Sequence, residues 1–398
     1  YGDNDTFPLW FNQEVDGVRT DVRVMNTSYL GGEWYIDEMK TRANDAAPVP
    51  FTLPRSKYAF VNDMVRVIPK VERPVDIREA MDFFRSEDPR TKVPLVDGTT
   101  IDYLPAQRLA LPVNKDNAIA AGIVKEEDRD LMVDTVYLNL RRGVLDKSEL
   151  MVIDLLSNFD WKRPIHFTQV YILQNLGLTD YLQFDGYSYR LVPILTPYDR
   201  RVGEIGRIDP DVIYPLLMET FRYGNVSDPR VYVDNFIQYN LMASGAREAF
   251  ARAAKAFLRR GGAGDRDKAV ALLDAGLEKM PPAQIRYTFS NTFPFLEAYY
   301  AAGEMEKGDA LLLSYAENLM QYLDYYLAFE GVQGDMVSGL IDDKLDELGQ
   351  IYLLAGYAGR RDAVARLNDY YRTLGATDED LLHVDAPGEA TDSLLPIP

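Results

Sequence analysis

The chain has 398 residues and a formal net charge of −19, from 62 Asp and Glu against 43 Lys and Arg. That surplus of carboxylates argues against a nucleic-acid or anionic-membrane surface, which needs clustered Lys and Arg, and favours solubility. With 47 % hydrophobic residues the chain can bury ample apolar surface, and its length exceeds one ordinary core, so two domains are expected.

The opening stretch, Tyr1-Gly-Asp-Asn-Asp-Thr-Phe-Pro-Leu-Trp10, lacks an initiator Met and reads as the middle of something longer. A targeting or membrane portion is therefore expected upstream of Tyr1. No run approaches the roughly 18 apolar residues that a bilayer span requires. Phe7, Trp10, Phe11 and Val15 fall at helical spacing, closed by Asp16-Gly17. Asp21–Met25 alternates polar and apolar as a strand does, with Asn26-Thr27-Ser28 closing it. A short helix is expected over Glu33–Met39. This alternation of strand, loop and helix predicts an α/β layer with a mixed, partly parallel sheet.

Ile77, Ala80, Met81 and Phe84 recur at helical spacing behind Asp76 and Glu79, a capping-box-like start. Ile101–Leu104, Arg108–Val113 and Thr135–Leu140 read as strands, and Lys147–Ser157 as a helix. Arg163–Thr168 reads as a buried strand entered through Pro164, and Tyr187–Pro193 as another.

After about Asp209 the pattern turns helical. Gly262, Gly303 and Gly356 each precede a small residue by seven (Ala269, Ala310 and Ala363). Each glycine lies between two helical stretches: Phe250–Arg260 and Lys268–Lys279, Phe295–Ala302 and Lys307–Leu319, Leu345–Ala355 and Arg361–Leu374. These are read as degenerate hairpins of the tetratricopeptide (TPR) kind, irregularly spaced. The expected organisation is an α/β domain over residues 1–208, a TPR-like α-helical domain over 209–376, and a loosely ordered tail over 377–398.

Cysteine is absent, which excludes disulfides, thiolate metal sites and Cys nucleophiles without fixing the compartment. The two histidines, His166 and His383, are too few for a His-rich zinc centre, so any metal would be held by oxygen. Gly-rich phosphate loops, Gly-x-Ser-x-Gly elbows and His-Glu-x-x-His helices are also missing. The residues alone do not establish an enzyme.

In open α/β sheets ligands gather beyond the carboxyl ends of strands. Asp3, Asn4, Asp5 and Thr6 are expected at one such end, and Asn26, Thr27 and Ser28 at its neighbour, so both loops would face one crevice. Three readings stay open. Asp5 or Thr6 could cap the following helix, with Pro8 tolerated near its start; the group could bind a polar ligand; or Asp3 and Asp5, as alternate residues of an extended chain, could hold a divalent cation. Trp161 and Arg163 could grip an anion or a sugar ring, or Trp161 could plug the sheet edge. His166 reads as a hydrogen-bonded structural residue. The tyrosines, including Tyr299-Tyr300, Tyr322, Tyr325-Tyr326 and Tyr370-Tyr371, could line a peptide or glycan groove, though core rims are the commoner use.

Several blocks together resemble a known family. These are Gly2–Trp10, Gln13-Glu14, Gly17–Val24, Trp34–Asp37, Lys147–Asp154, Trp161–Ile165 and Tyr189–Pro193. The series resembles the segment after the membrane-spanning half of Bacteroidetes proteins long labelled a domain of unknown function (two-seven-two-three). The resemblance implies a multi-pass membrane protein related to the GT-C glycosyltransferases, with protein O-mannosyltransferase activity in animal relatives and catalytic carboxylates in the membrane half. No family catalytic residue transfers onto this chain. His166 stands where an aromatic such as Tyr is expected.

On this resemblance the chain is the periplasm-facing, extracytoplasmic region of a membrane-anchored protein. Its partners would be an acceptor polypeptide or a protein, and its own upstream transmembrane region. A self-contained sugar- or metal-binding enzyme at Asp3-Asn4-Asp5 and a purely structural scaffold remain as alternatives. No cofactor is required beyond that optional divalent cation.

Overall fold

The computed structural model describes residues 2–59, 63–96, 98–198, 204–238 and 245–382. The chain divides into two compact units. The first comprises residues 1–184 and 188–207, the second residues 185–187 and 208–398.

In the first unit the helices are α1 (Asp3–Glu14), α2 (Glu33–Met39), α3 (Ile77–Arg85), α4 (Lys115–Ala120), α5 (Lys147–Ser157) and α6 (Tyr171–Leu176). The strands are β1 (Met64–Val67), β2 (Val75–Asp76), β3 (Lys92–Pro94), β4 (Thr100–Leu104), β5 (Arg108–Pro112), β6 (Thr135–Asn139), β7 (Val144–Asp146), β8 (His166–Phe167), β9 (Leu182–Phe184) and β10 (Tyr189–Leu191). Among the described residues they form three small sheets, ordered β3-β4-β1-β7, β8-β10-β9 and β2-β5-β6. β1 runs parallel to β4 and β2 parallel to β5, while the remaining pairs are antiparallel. The expected mixed, partly parallel character is present, distributed over several sheets.

The core forms around α5. Asp146 starts this helix with a capping box: its Oδ1 accepts from Glu149 N at 2.8 Å, and Glu149 Oε2 accepts from Asp146 N at 2.9 Å. Such caps are worth ~1 kcal/mol each. Leu150, Met151, Val152, Ile153, Leu155 and Leu156 are all buried, so the helix is apolar nearly all round and sits inside the unit. The α3 helix packs on it through Ile77, Ala80, Met81 and Phe84, the four positions its spacing predicts. Asp76 caps α3 by accepting from Arg78 N at 2.8 Å. Between β5 and β6, Leu109 pairs with Leu138 and Leu111 with Val136, which places one face of that ladder in the core.

Two expected strands differ. Asp21–Met25 is irregular: Val22 N closes a turn on Arg19 O at 3.0 Å, and side chains hold the backbone at Arg19, Val22 and Asn26. Gln13 Nε2 donates to the carbonyls of Arg19 and Val22, each at 2.8 Å, and Tyr35 OH accepts from Asn26 N at 2.8 Å. The expected strand over Arg163–Thr168 shrinks to His166–Phe167. Trp161 takes a left-handed backbone (φ 64°), which breaks the extended run just before it.

The second unit contains α7 (Pro210–Pro215), α8 (Ala246–Arg260), α9 (Asp265–Lys279), α10 (Phe289–Ala301), α11 (Met305–Leu327), α12 (Gly331–Tyr357) and α13 (Arg361–Thr373). The three predicted hairpins are α8–α9, α10–α11 and α12–α13. Their turns use left-handed glycines at Gly261 (φ 63°), Gly303 (φ 75°) and Gly359 (φ 68°). Gly356 therefore sits inside the last turn of α12 and does not end it. Ala269 and Ala363 are buried between helices as expected, but Ala310 is exposed. The close approach in the middle hairpin falls on Gly308, where an added Cβ would lie 2.5 Å from the Tyr300 ring. Residues 383–398, which include His383 and most of the expected tail, lie outside the described residues.

Candidate functional site

The α1 helix begins earlier than its residues suggest. Gly2 turns the chain with φ 80° and ψ 176°, a conformation open to glycine, and Asp3 is already helical. Asp3, Asn4 and Asp5 thus form the first turn of a helix, which corrects the extended loop expected there. Thr6 is buried, and its Oγ1 donates back to Gly2 O at 2.8 Å. Neither Asp5 nor Thr6 is the cap, and no side chain at Gly2 can be. The two carboxylates still favour this end of the helix because they face the positive pole of its dipole.

The opening turn and the Asn26 loop do come together. Asn26 is fully buried, and its Oδ1 accepts from Gly2 N at 3.2 Å, Ser28 N at 3.0 Å and Ser28 Oγ at 2.6 Å. Its Nδ2 has no partner among the described residues. Thr27 is buried beside it, whereas Ser28 is exposed. Asp3 accepts from the Tyr29 hydroxyl, which raises that phenol above its ordinary range. Asp5 Oδ2 accepts from Thr168 Oγ1 at 2.8 Å, a contact that joins α1 to the chain just after β8.

Two residues apart on a helix, side chains diverge by about 200°. Asp3 and Asp5 accordingly meet different hydroxyls and do not converge on one point, which removes the extended-chain premise for a shared cation. Among the described residues no group of three or more His, Asp or Glu side chains is placed to hold a metal ion.

Trp161 is not a surface for a sugar. It is fully buried, packs 4.6 Å from the Phe159 ring, and donates from Nε1 to Pro112 O at 2.8 Å. Its indole anchors the chain after α5 to the end of β5. Arg163 lies near the surface and donates from Nη1 to Ala47 O at 3.1 Å and Pro48 O at 3.2 Å. Burial, followed by the nearby Arg23 charge, pushes its basicity down. His166 is exposed on β8, with Nδ1 3.2 Å from Ser188 Oγ. Its hydrogen bond agrees with the structural reading; the buried strand expected around it does not.

A further surface was not legible in the sequence. Phe7, Leu9 and Phe11 on α1, Val15, Val18 and Val22 after it, and Trp34 on α2 are all exposed by 40 % or more. Trp10 lies 6.4 Å from Tyr29, which lies 6.1 Å from Trp34 and 5.4 Å from Tyr35. The helical spacing of Phe7, Trp10 and Phe11 was readable, but not which side of the helix would face outward.

In the second unit a groove of about 440 Å³ is lined by Leu327, Leu345, Tyr371, Leu374, Gly375, Ala376 and Asp380. Around its helices Tyr325, Leu327, Val332, Met336 and Leu340 are exposed. The other tyrosines mostly serve packing. Tyr299, Tyr300 and Tyr315 are buried and donate to Asp274 at 3.0 Å, Asp309 at 3.0 Å and Glu347 at 2.5 Å. Burial first, then those carboxylates, holds all three phenols far above the usual range.

The family model described as TMEM260-associated domain 2 matches residues 1–212, and the chain belongs to that family. No curated protein and no solved structure matches the chain.

Proposed function

We propose that this chain is the extracytoplasmic region of a membrane glycosyltransferase-like protein, and that its helical unit binds an acceptor polypeptide or a protein partner. Family membership over residues 1–212 supports the first part. The resemblance of the motif series from Gly2–Trp10 to Tyr189–Pro193 supports the finer reading, a member of the Bacteroidetes group with O-mannosyltransferase relatives. Among the described residues no helix is long and apolar enough to cross a membrane. The exposed rings of Phe7 and Phe11, one turn apart on α1, suit contact with a membrane-embedded part of the same protein, because exposed large apolar side chains that cluster mark interaction surfaces.

One observation carries the second part: the groove is lined mostly by apolar residues, Leu327, Leu345, Leu374 and Ala376 with Tyr371, beside Asp380. Such a groove takes one bulky apolar side chain of an extended peptide, as paired-helix repeats do. Fluorescence anisotropy with labelled unfolded secretory polypeptides tests it. Binding that weakens at least tenfold in Leu345→Asp and Leu374→Asp supports the reading. Equal binding in wild type and variants, or none at all, removes it.

The rival enzyme centred on Asp3-Asn4-Asp5 has less support, because those carboxylates diverge and each already holds a hydroxyl. Calorimetry with Mn²⁺, Ca²⁺ and nucleotide sugars separates the two readings. Affinity lost in Asp3→Ala and Asp5→Ala would favour the rival.

A further inference from the structure

The end of α11 and the first half of α12 have no core of their own. From Asp324 to Glu347 no residue is buried. Helices are held chiefly by packing of an apolar face, and Gly334 and Gly339 lower the intrinsic propensity of this one further. Large apolar side chains nevertheless stand on it in solvent. Val332 is 76 % exposed, Met336 79 % and Leu340 44 %. Spaced at i, i+4 and i+8, these three form one stripe along α12.

The same face is covered further along the helix. Leu340, Glu347 and Leu354 follow one another at steps of seven, each of which drifts only about 20° around a helix. Leu354 is buried, and Glu347 accepts from the buried Tyr315 of α11 at 2.5 Å. The stripe thus continues a packed face past the point where the unit covers it. It is also separate from the groove: Met336 and the groove residue Leu345 are nine residues apart, which puts them about 180° from each other around α12.

Charge narrows what can cover it. Between Lys307 and Lys344 the chain has no Lys, Arg or His, against seven Asp and Glu. Lys344 is itself paired with Glu347 at 2.5 Å. Glu330, Asp335, Asp342 and Asp343 are exposed, and none of the four has an ion-pair partner among the described residues. Asp343, seven beyond Met336, closes the line of the stripe. A second copy of this chain would bring the same acids against the same stripe, and the chain's own last residues, 383–398, contain no Lys or Arg. We propose that the stripe docks an amphipathic helix of a partner protein, whose apolar face covers Val332, Met336 and Leu340 and whose flanking Lys and Arg meet the unpaired acids. An apolar helix face gives such docking its affinity, and opposite charges around it select the partner. The inference rests on the reading that the helical unit binds a protein partner, and it names that partner's chemistry.

Fluorescence anisotropy of the full chain with three labelled synthetic peptides tests it. The first carries Leu at helical spacing with Lys between, the second has Glu in place of Lys, and the third is the Lys–Leu composition in scrambled order. Saturable binding is expected for the first alone, weakening as salt is raised. Met336→Asp and Leu340→Asp should each weaken it about tenfold or more, and the Asp342→Lys, Asp343→Lys double variant should shift the preference to the Glu peptide. Leu374→Asp, in the groove, should leave it within about twofold. Should an aspartate variant lose its helical circular dichroism, Met336→Ala and Leu340→Ala read the same dependence. Loss in Leu374→Asp with none in Met336→Asp overturns the stripe and spares the groove; loss in Met336→Asp with none in Leu374→Asp supports the stripe whatever the groove binds. Equal binding of the Glu or scrambled peptide, or no binding by any of the three, overturns the proposal. So do dimers in sedimentation that Met336→Asp disperses, since they give the stripe to a second copy.

Discussion

Arg85 Nη2 donates to Asp154 Oδ1 across 2.9 Å and ties α3 to a carboxylate on α5 that water does not reach. The same carboxylate accepts Thr52 N at 2.7 Å, Leu53 N at 3.0 Å and Thr52 Oγ1 at 2.9 Å. One buried acid therefore gathers a helix, a cation and a loop a hundred residues away in sequence. Asp154→Ala would leave two backbone N–H groups and a guanidinium without their acceptor. Removing one partner from a buried, hydrogen-bonded charge costs about 3–5 kcal/mol. Urea unfolding should show a midpoint lowered accordingly, with Asp154→Asn between the two because an amide oxygen can still accept. A loss below about 1 kcal/mol in Asp154→Ala would mean that the network closes around water.

Asn26 does similar work for α1. Asn26→Ala removes the acceptor for Gly2 N and for both Ser28 donors. Losing a local cap or turn acceptor costs about 0.5–2 kcal/mol. Because α1 buries little besides Thr6, this loss should appear locally as faster hydrogen exchange through Asp3–Glu14. Exchange in α5 should not change. Equal acceleration in both helices would show that Asn26 supports the whole unit.

These two hubs explain what the sequence showed and what it hid. The helices of the second unit were readable because apolar residues recur with the helical period over long runs, and α3 because Asp76 and Ile77–Phe84 agree on start and face. The Asp21–Met25 alternation misled because pattern does not reveal that Gln13 and Tyr35 would supply the backbone with partners. β1 was missed although Met64–Val67 alternates outward and inward, because four residues give too short a period to stand out. At the candidate site, the two opening loops were expected at neighbouring strand ends; Gly2 N does bond Asn26 Oδ1, but Asp3–Asp5 form a helical turn and no strand precedes Asn26 among the described residues. The burial of Trp161 was not anticipated: an indole that accepts a left-handed backbone in order to reach Pro112 O leaves no periodic trace.

Alkaline pH should unfold the helical unit. Tyr299, Tyr300 and Tyr315 have ordinary values near 10.0 and are held well above that in the fold, chiefly by burial. Tyr371 is pushed up to about 12 by the same cause. A phenol whose value is raised on folding contributes stability that is whole below the unfolded value, and the contribution drains as pH climbs past it, because the unfolded chain then releases a proton that the folded chain keeps. Stability should therefore fall above about pH 10. Tyrosinate absorbance at 295 nm should rise together with loss of helical circular dichroism. Gradual, non-cooperative ionisation before any loss of helix would contradict the buried placement.

Two glycines on neighbouring helices should respond to the same substitution with opposite signs. At Gly308, on α11, an added Cβ would sit 2.5 Å from Tyr300 Cε1 and 2.8 Å from Cδ1. The ring cannot simply swing aside, because its hydroxyl donates to Asp309 Oδ1 at 3.0 Å and Arg360 holds that same carboxylate. Gly308→Ala gains helix propensity of about 1 kcal/mol but forces the α10–α11 crossing apart, an overpacking cost of about 1–3 kcal/mol. The net effect should be destabilising. At Gly339, mid-way along α12 and exposed, an added Cβ meets nothing within 4 Å. Gly339→Ala should thus stabilise by about 0.5–1 kcal/mol through backbone entropy alone. Thermal melts of the two single variants and the double variant check this. Because an added Cβ at Gly339 meets nothing within 4 Å, the two effects should add, and a Gly308→Ala protein that melts above wild type would show that the middle hairpin is looser than its packing implies.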